Sequence, residues 1–243
     1  MNNSTNQYVP SIGLGTYNMS SEEAEKMTYE AIKYGYRHID TAAVYKNEDG
    51  VARALKRIFK ETQLRRDDVF ITTKLWPGGL IKLDRIRDYK DTLKSFEKSL
   101  MRLNLEYIDL YLIHSPHGKN KRIEQWKSLM KLKETEKVKY IGVSNWGINH
   151  INELKENDLP LPDANQIEIH PWSQKPELIK YLRENNIDII AYSSLVPLST
   201  WRHKVGENSK KTDEMYKLGE SDESPFKLLA QKYKWTEAQF LLQ

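Results

Sequence analysis

The sequence predicts an α/β protein of the (β/α)8 TIM-barrel class, and two observations predict it. Seven apolar runs recur along the chain, most of them separated by segments patterned as helix. Residues able to do acid–base or cofactor chemistry stand at or just beyond the C-terminal ends of those runs, and in such a barrel these strand ends converge on the face that carries the active site. The runs are Ile12–Gly15, His38–Thr41, Val69–Lys74, Ile108–His114, Tyr140–Asn145, Asn165–Ile169 and Ile187–Ser193. Where they stop stand Asp40 with Tyr45 just after it, Lys74, His114, Ser144 and Asn145, Gln166, and Tyr192.

Taken in order, the helices account for the rest. Ser20–Ser21 followed by Glu22–Glu23 is a helix start, with carboxylates where the dipole favours them. Ala24, Met27, Ala31 and Ile32 then repeat at helical spacing, and Gly35 supplies a stop. A second helix is expected over Glu48–Phe59. The stripe Leu93, Phe96, Leu100 and Leu103 marks a third over Asp91–Leu103. Further helices are expected at Ile123–Glu136, Asn149–Glu156, Pro176–Asn185 and Pro225–Lys232. Strand and helix in alternation imply parallel strands joined by right-handed crossovers. Residues 1–243 are expected to form one domain. Residues 199–224, polar and without helical patterning over most of their length, are expected as a loop after the seventh strand, either a lid over a cofactor or a solvated insertion.

Composition narrows the function classes. A chain of 243 residues can bury one large core, and barrels of this kind take about 250. The net charge is only +4, with Lys and Arg scattered among Asp and Glu, so nucleic acid is not indicated. There is no cysteine, hence neither a disulfide framework nor thiolate chemistry. The first residues are polar and no stretch approaches the length of a membrane span, so a cytoplasmic enzyme without a membrane partner is expected. Oligomeric state is not legible, and a monomer is the default.

The chemistry begins with Asp40, Tyr45, Lys74 and His114. A free phenol has a pKa of about 10, too high for ready proton exchange at neutral pH. A neighbouring ammonium favours the phenolate, so Lys74, held by Asp40, is expected to lower the Tyr45 value. His114 adds a donor to the same substrate oxygen. Such a group suits protonation of an alkoxide as it forms, which carbonyl reduction requires. None of these side chains supplies hydride, so an organic cofactor is implied. Taken singly, each residue has a plainer role: Asp40 as a turn cap, Tyr45 as a surface residue, His114 as a core histidine. Lys74 is harder to place this way, because an ammonium closing a buried run needs a partner.

The chain resembles the aldo-keto reductases, the nicotinamide-dependent barrel family. The matching stretches are Gly13-Leu-Gly-Thr-Tyr17, His38-Ile-Asp-Thr-Ala-Ala-Val-Tyr45 with Asn47-Glu48, Thr73-Lys-Leu-Trp76, Leu110-Tyr-Leu-Ile-His114, Gly142-Val-Ser-Asn145, Asn165-Gln-Ile-Glu-Ile-His-Pro171 and Ala191-Tyr-Ser193. The resemblance implies a catalytic tetrad of Asp40, Tyr45, Lys74 and His114, with Tyr45 as proton donor and NADPH as the cofactor. It implies that Ser144, Asn145 and Gln166 hold the nicotinamide carboxamide and that Tyr192 stacks on its ring, with Ser193 and Leu195 beside it. Tyr17, Trp76 and His117 are implied to line the pocket of a small-molecule carbonyl substrate. A second reading is a non-catalytic relative that binds nicotinamide weakly or acts through protein contacts.

Trp126 and Trp146 are expected in the core, and Trp172 as a packed aromatic. His38 and His170 raise a metal site, but His38-x-Asp40 lacks a second histidine and no carboxylate cluster completes a tetrahedral set, so no metal is expected. The chain stops at Gln243, inside what resembles the helix leading to the eighth strand. The eighth strand and the following C-terminal segment are therefore expected to be missing, and with them the basic residues that in this family grip the adenosine 2′-phosphate. Without that clamp NADH becomes possible beside NADPH. A fragment, a shortened gene product and a barrel closed by other means all fit this ending.

Overall fold

The computed structural model describes residues 8–81, 83–198, 210–221 and 224–242. Strands and helices alternate through most of the chain: β1 (Leu14–Gly15), α1 (Ser21–Lys33), β2 (His38–Asp40), α2 (Glu48–Glu61), β3 (Phe70–Leu75), α3 (Tyr89–Leu103), β4 (Ile108–Ile113), α4 (Arg122–Glu134), β5 (Val138–Ser144), α5 (Ile148–Glu156), β6 (Ala164–Glu168), α6 (Pro176–Glu184), β7 (Asp188–Tyr192), α7 (Lys210–Glu220), α8 (Pro225–Tyr233) and α9 (Glu237–Leu241). The seven strands follow one another in a single sheet in chain order, and β1 to β6 pair in parallel. This is the (β/α)8 TIM-barrel class, with seven strands among the described residues. No helix among them is long and apolar enough to cross a membrane.

Two compact units divide the chain: Met1–Gln166 with Lys180–Ile189, and Ile167–Ile179 with Ile190–Gln243. In the first, β3 and β4 are covered on both faces. Every residue of β4 is buried, including Leu110, Tyr111 and Leu112, which is why these strands read as mostly apolar runs without alternation. Phe96, Leu100 and Leu103 of α3 pack inward as expected, but Thr92 and Ser99 share the buried stripe and Leu93 lies at its edge. Trp126 and Trp146 are core residues.

Helix α1 starts as the sequence implies. The Ser20 hydroxyl accepts from the Glu23 N–H at 3.1 Å and the Glu23 carboxylate from the Ser20 N–H at 2.7 Å, a reciprocal box. Its inward face differs from expectation. Met27 is exposed, and Thr28 and Tyr29 take the buried positions with Ala24 and Ile32. Gly35 ends the turn at φ +100°, a conformation that side chains with a Cβ resist.

In the second unit, the Ile169 N–H donates to Tyr192 O at 3.4 Å, and His170 bridges Ser173. His170 Nε2 lies 3.0 Å from a Glu168 carboxylate oxygen. Phe226 and Ala230 are the buried residues of α8, and the rings of Tyr233 and Trp235 stack at 5.4 Å after it. The expectation of a loop over 199–224 is corrected in part. Residues 210–220 form α7, where strong helix formers such as Lys, Glu, Met and Leu alternate with an Asp and a Gly. Positions 199–209, 222 and 223 lie outside the described residues.

Candidate active site

Strand register assembles the charged centre. Asp40 on β2 pairs with Thr72 on β3, and Lys74, two residues further on, shares the face of Thr72. The Lys74 side chain is fully buried. Its ammonium bonds the Asp40 carboxylate, the Thr41 carbonyl at 2.9 Å and the Tyr45 hydroxyl at 3.4 Å. Three acceptors thus meet three N–H donors, which makes burial of the charge tolerable. The other Asp40 oxygen accepts from the Gln166 side-chain amide at 2.7 Å, so both carboxylate oxygens are used.

Tyr45 ends a 3₁₀ turn, Ala43–Tyr45, which the left-handed Lys46 closes at φ 57°. Its hydroxyl lies 3.5 Å from His114 Nε2, beyond β4. Here the expected direction of the phenol's titration is corrected. Burial, then the Asp40 charge and Tyr17, push its pKa up, so the hydroxyl keeps its proton throughout the neutral range. His114 goes the other way. Burial, with the Lys74 charge next, pulls it down to about 3, and its imidazole is neutral at pH 7.

Asn47 was legible only as part of a motif, and its work is visible only in three dimensions. It stands at the start of α2, where an Asn ordinarily caps, yet it makes no capping bond. Its amide donates to Thr16 O at 2.8 Å and Met19 O at 3.0 Å, and its oxygen accepts from the Thr41 hydroxyl at 2.9 Å and the Thr16 hydroxyl at 3.2 Å. The turn carrying Tyr45 is thereby tied to the segment after β1. Beside it, the buried Glu48 accepts from the Thr73 hydroxyl and pairs with Arg102, both at 2.7 Å. Nothing in spacing or periodicity distinguishes these two from an ordinary helix start.

The polar residues after β5 and on β6 also come together. The Ser144 hydroxyl donates to Gln166 O at 2.9 Å and accepts from the Asn145 amide at 3.1 Å, which also reaches His114 O at 3.0 Å. Asn145 sits at φ 62°, a left-handed conformation that Asn tolerates better than most residues. Two aromatic rings flank the tetrad. Tyr17 lies 5.1 Å from the Tyr45 ring, and Trp76 stands edge-on to His114 at 5.8 Å and 85°. His117 is exposed and pairs with the Ser115 hydroxyl at 2.8 Å. In the second unit, Tyr192 ends β7, Ser193 has φ 57°, and Leu195 begins a turn with 38% exposure. His38 Nε2 lies 2.9 Å from the Thr72 hydroxyl. Among the described residues no three His, Cys, Asp or Glu side chains group so as to hold a metal ion.

Fold and site define a class, a parallel α/β barrel with a Lys–Asp pair, a tyrosine and a neutral histidine gathered at its strand ends. The sequence profile of the Aldo/keto reductase family matches residues 11–240, and the chain belongs to that family. It is 42% identical to a glyoxal reductase of Bacillus subtilis over 189 residues, 77% of this chain and 64% of that protein. It is 37% identical to a methylglyoxal reductase of Yersinia pestis over 235 residues, 96% of this chain and 74% of that protein. The crystal structure of a Bombyx mori aldo-keto reductase in complex with NADP superposes with a TM-score of 0.81 at 29% identity, covering 96% of this chain and 75% of that one. The chain thus spans less than two thirds of the glyoxal reductase it matches.

Proposed function

We propose that this protein reduces aldehydes or ketones to alcohols with NADPH, and that Tyr45 gives the proton. The observation that carries the reading is the Tyr45 hydroxyl, 3.4 Å from the Lys74 ammonium and 3.5 Å from His114 Nε2. A substrate oxygen at that point meets a phenol that holds its proton until negative charge develops. Lys74 then stabilises the phenolate left behind, a contribution present only once charge moves. Being neutral, His114 orients the same oxygen as a hydrogen-bond donor and does not compete as an acid. Asp40 keeps the ammonium in place.

The donor set of Ser144, Asn145 and Gln166, a hydroxyl and two carboxamides, is chemically complementary to a carboxamide, which fits a nicotinamide. These residues are proposed to hold it. When bound, that cofactor supplies the hydride. The names of the relatives, glyoxal and methylglyoxal reductases, favour aldehydes as the first substrates to try. Titration of the chain with NADPH, read by fluorescence, and a coupled assay on several aldehydes test the reading. Tyr45→Phe is expected to lower turnover by roughly 10²–10⁴-fold while NADPH binding persists. Full activity of that variant on several aldehydes refutes the role of Tyr45.

A further inference from the structure

The loop after β3 is built around one carboxylate. Trp76 Nε1 donates to Asp84 Oδ2 at 2.8 Å, and the Leu80 N–H reaches the same oxygen at 3.4 Å. The Asp84 backbone closes the ring from both sides, its carbonyl accepting from the Gly79 N–H and its N–H donating to Ile81 O, each at 3.0 Å. The base of the loop is fixed independently. The Arg87 N–H donates to Pro77 O at 2.9 Å, and the buried Gln125 amide donates to Pro77 O at 3.1 Å and Arg87 O at 2.8 Å. Gly78 and Gly79, at φ +78° and +83°, pass so close to Arg85 O and His117 O that a Cβ at either would clash. An anchored base therefore carries a hydrogen-bonded ring in which Asp84 is the single side-chain acceptor among the described residues. That ring holds the indole whose edge meets His114.

Indole is a donor only, so in an apolar setting its plane is set by wherever its one N–H finds an acceptor. Asp84 is the acceptor that this indole N–H finds. The Leu80 N–H shares that oxygen at 3.4 Å, and the indole so held is the aromatic surface that meets the His114 edge. We propose that Asp84 is the positioning residue for the Trp76 indole, and that the aromatic wall so fixed favours carbonyl compounds bearing an aryl arm over bare dicarbonyls. The proposal rests on the carbonyl-reductase reading of the Tyr45 site.

The test uses the 243-residue chain with Asp84→Leu and Asp84→Asn. The Trp76 indole N–H resonance, assigned by its loss in Trp76→Phe, is followed for hydrogen exchange. With NADPH, KM and kcat are measured for benzaldehyde and for methylglyoxal. In Asp84→Leu the indole proton is expected to exchange faster and KM for benzaldehyde to rise about tenfold, the effect of one lost hydrogen bond. The kcat for benzaldehyde and the KM for methylglyoxal should move far less. Asp84→Asn, which keeps an acceptor oxygen, should restore most of the benzaldehyde KM. General loosening of the loop would not produce that substrate-dependent split or its rescue. Unchanged indole exchange in Asp84→Leu overturns the positioning role. Faster exchange with an unchanged KM ratio overturns the selection. If the unaltered chain turns over neither aldehyde, the reductase reading and the selection fall together, while the exchange rates still decide whether Asp84 holds Trp76.

Discussion

Lys74 shows how one residue can carry both stability and chemistry. Its ammonium has no exposed surface, and the Asp40 side chain beside it is only 15% exposed. Removing one member of such a pair leaves the other desolvated, which costs about 3–5 kcal/mol. Lys74→Met is therefore expected to destabilise the fold by about that amount and to abolish turnover. Lys74→Met combined with Asp40→Asn should recover part of the stability but none of the activity, because the uncompensated carboxylate is gone. Urea unfolding of the two variants checks this, and a loss below about 1 kcal/mol in the single variant would mean that the pair is hydrated like a surface bridge. The tetrad members were legible in the sequence because each closes or follows an apolar run. The titration of Tyr45 was not, because its direction depends on how much water surrounds the ring. Lys74 lies 3.4 Å away, yet burial is the first of the influences on the phenol and pushes its pKa up.

At the scale of elements, legibility followed burial. Strands β3 and β4 announce themselves because both faces are covered, so apolar residues dominate them and the few polar ones, such as Lys74 and Asp109, are buried with partners. Strand β1 is two residues long, shorter than its apolar run, since Ile12 is 43% exposed and does not pair. In α1, helical spacing could not tell that Thr28 and Tyr29 point inward while Met27 faces out, because the choice depends on the neighbouring helix. Asn47, at the start of α2, makes no capping bond and is a cross-tie between two loops. Close approach between strands is equally invisible in one dimension. A Cβ on Gly142 of β5 would lie 2.4 Å from Ala164 O and 2.8 Å from Leu112. Gly142→Ala must push β5 off its neighbours and is expected to cost about 1–3 kcal/mol. It should also weaken nicotinamide binding, since Ser144 and Asn145 follow on the same strand end. A thermal melt and an NADPH titration of the variant measure the two effects, and an unchanged melting midpoint would show that the strands can part without strain.

For the molecule as a whole, the buried imidazoles tie stability to pH. His114 is held down to about 3, chiefly by burial, and His38 is pulled below its ordinary value by the same cause. The unfolded chain takes up protons at these histidines below about pH 6.5, whereas the folded chain does not. More protons are then bound in the unfolded state, so stability is complete above that pH and drains away as pH falls toward the folded value of about 3. Asp188 works in the opposite sense. Burial, and then the Asp163 charge, raise its pKa, so its contribution is present in acid and is lost as pH rises past the ordinary carboxylate range. It therefore offsets part of the histidine loss only at the acid end. The thermal midpoint is expected to drop steadily from about pH 7 to about pH 5. The slope should flatten in His38→Asn and in His114→Gln, because each removes one group that binds a proton only on unfolding. A midpoint independent of pH across that interval, or an unaltered slope in both variants, would mean that the two imidazoles are protonated within the folded protein. His114 would then meet a substrate oxygen as a cation, and the division of labour that leaves the proton to Tyr45 would have to be abandoned.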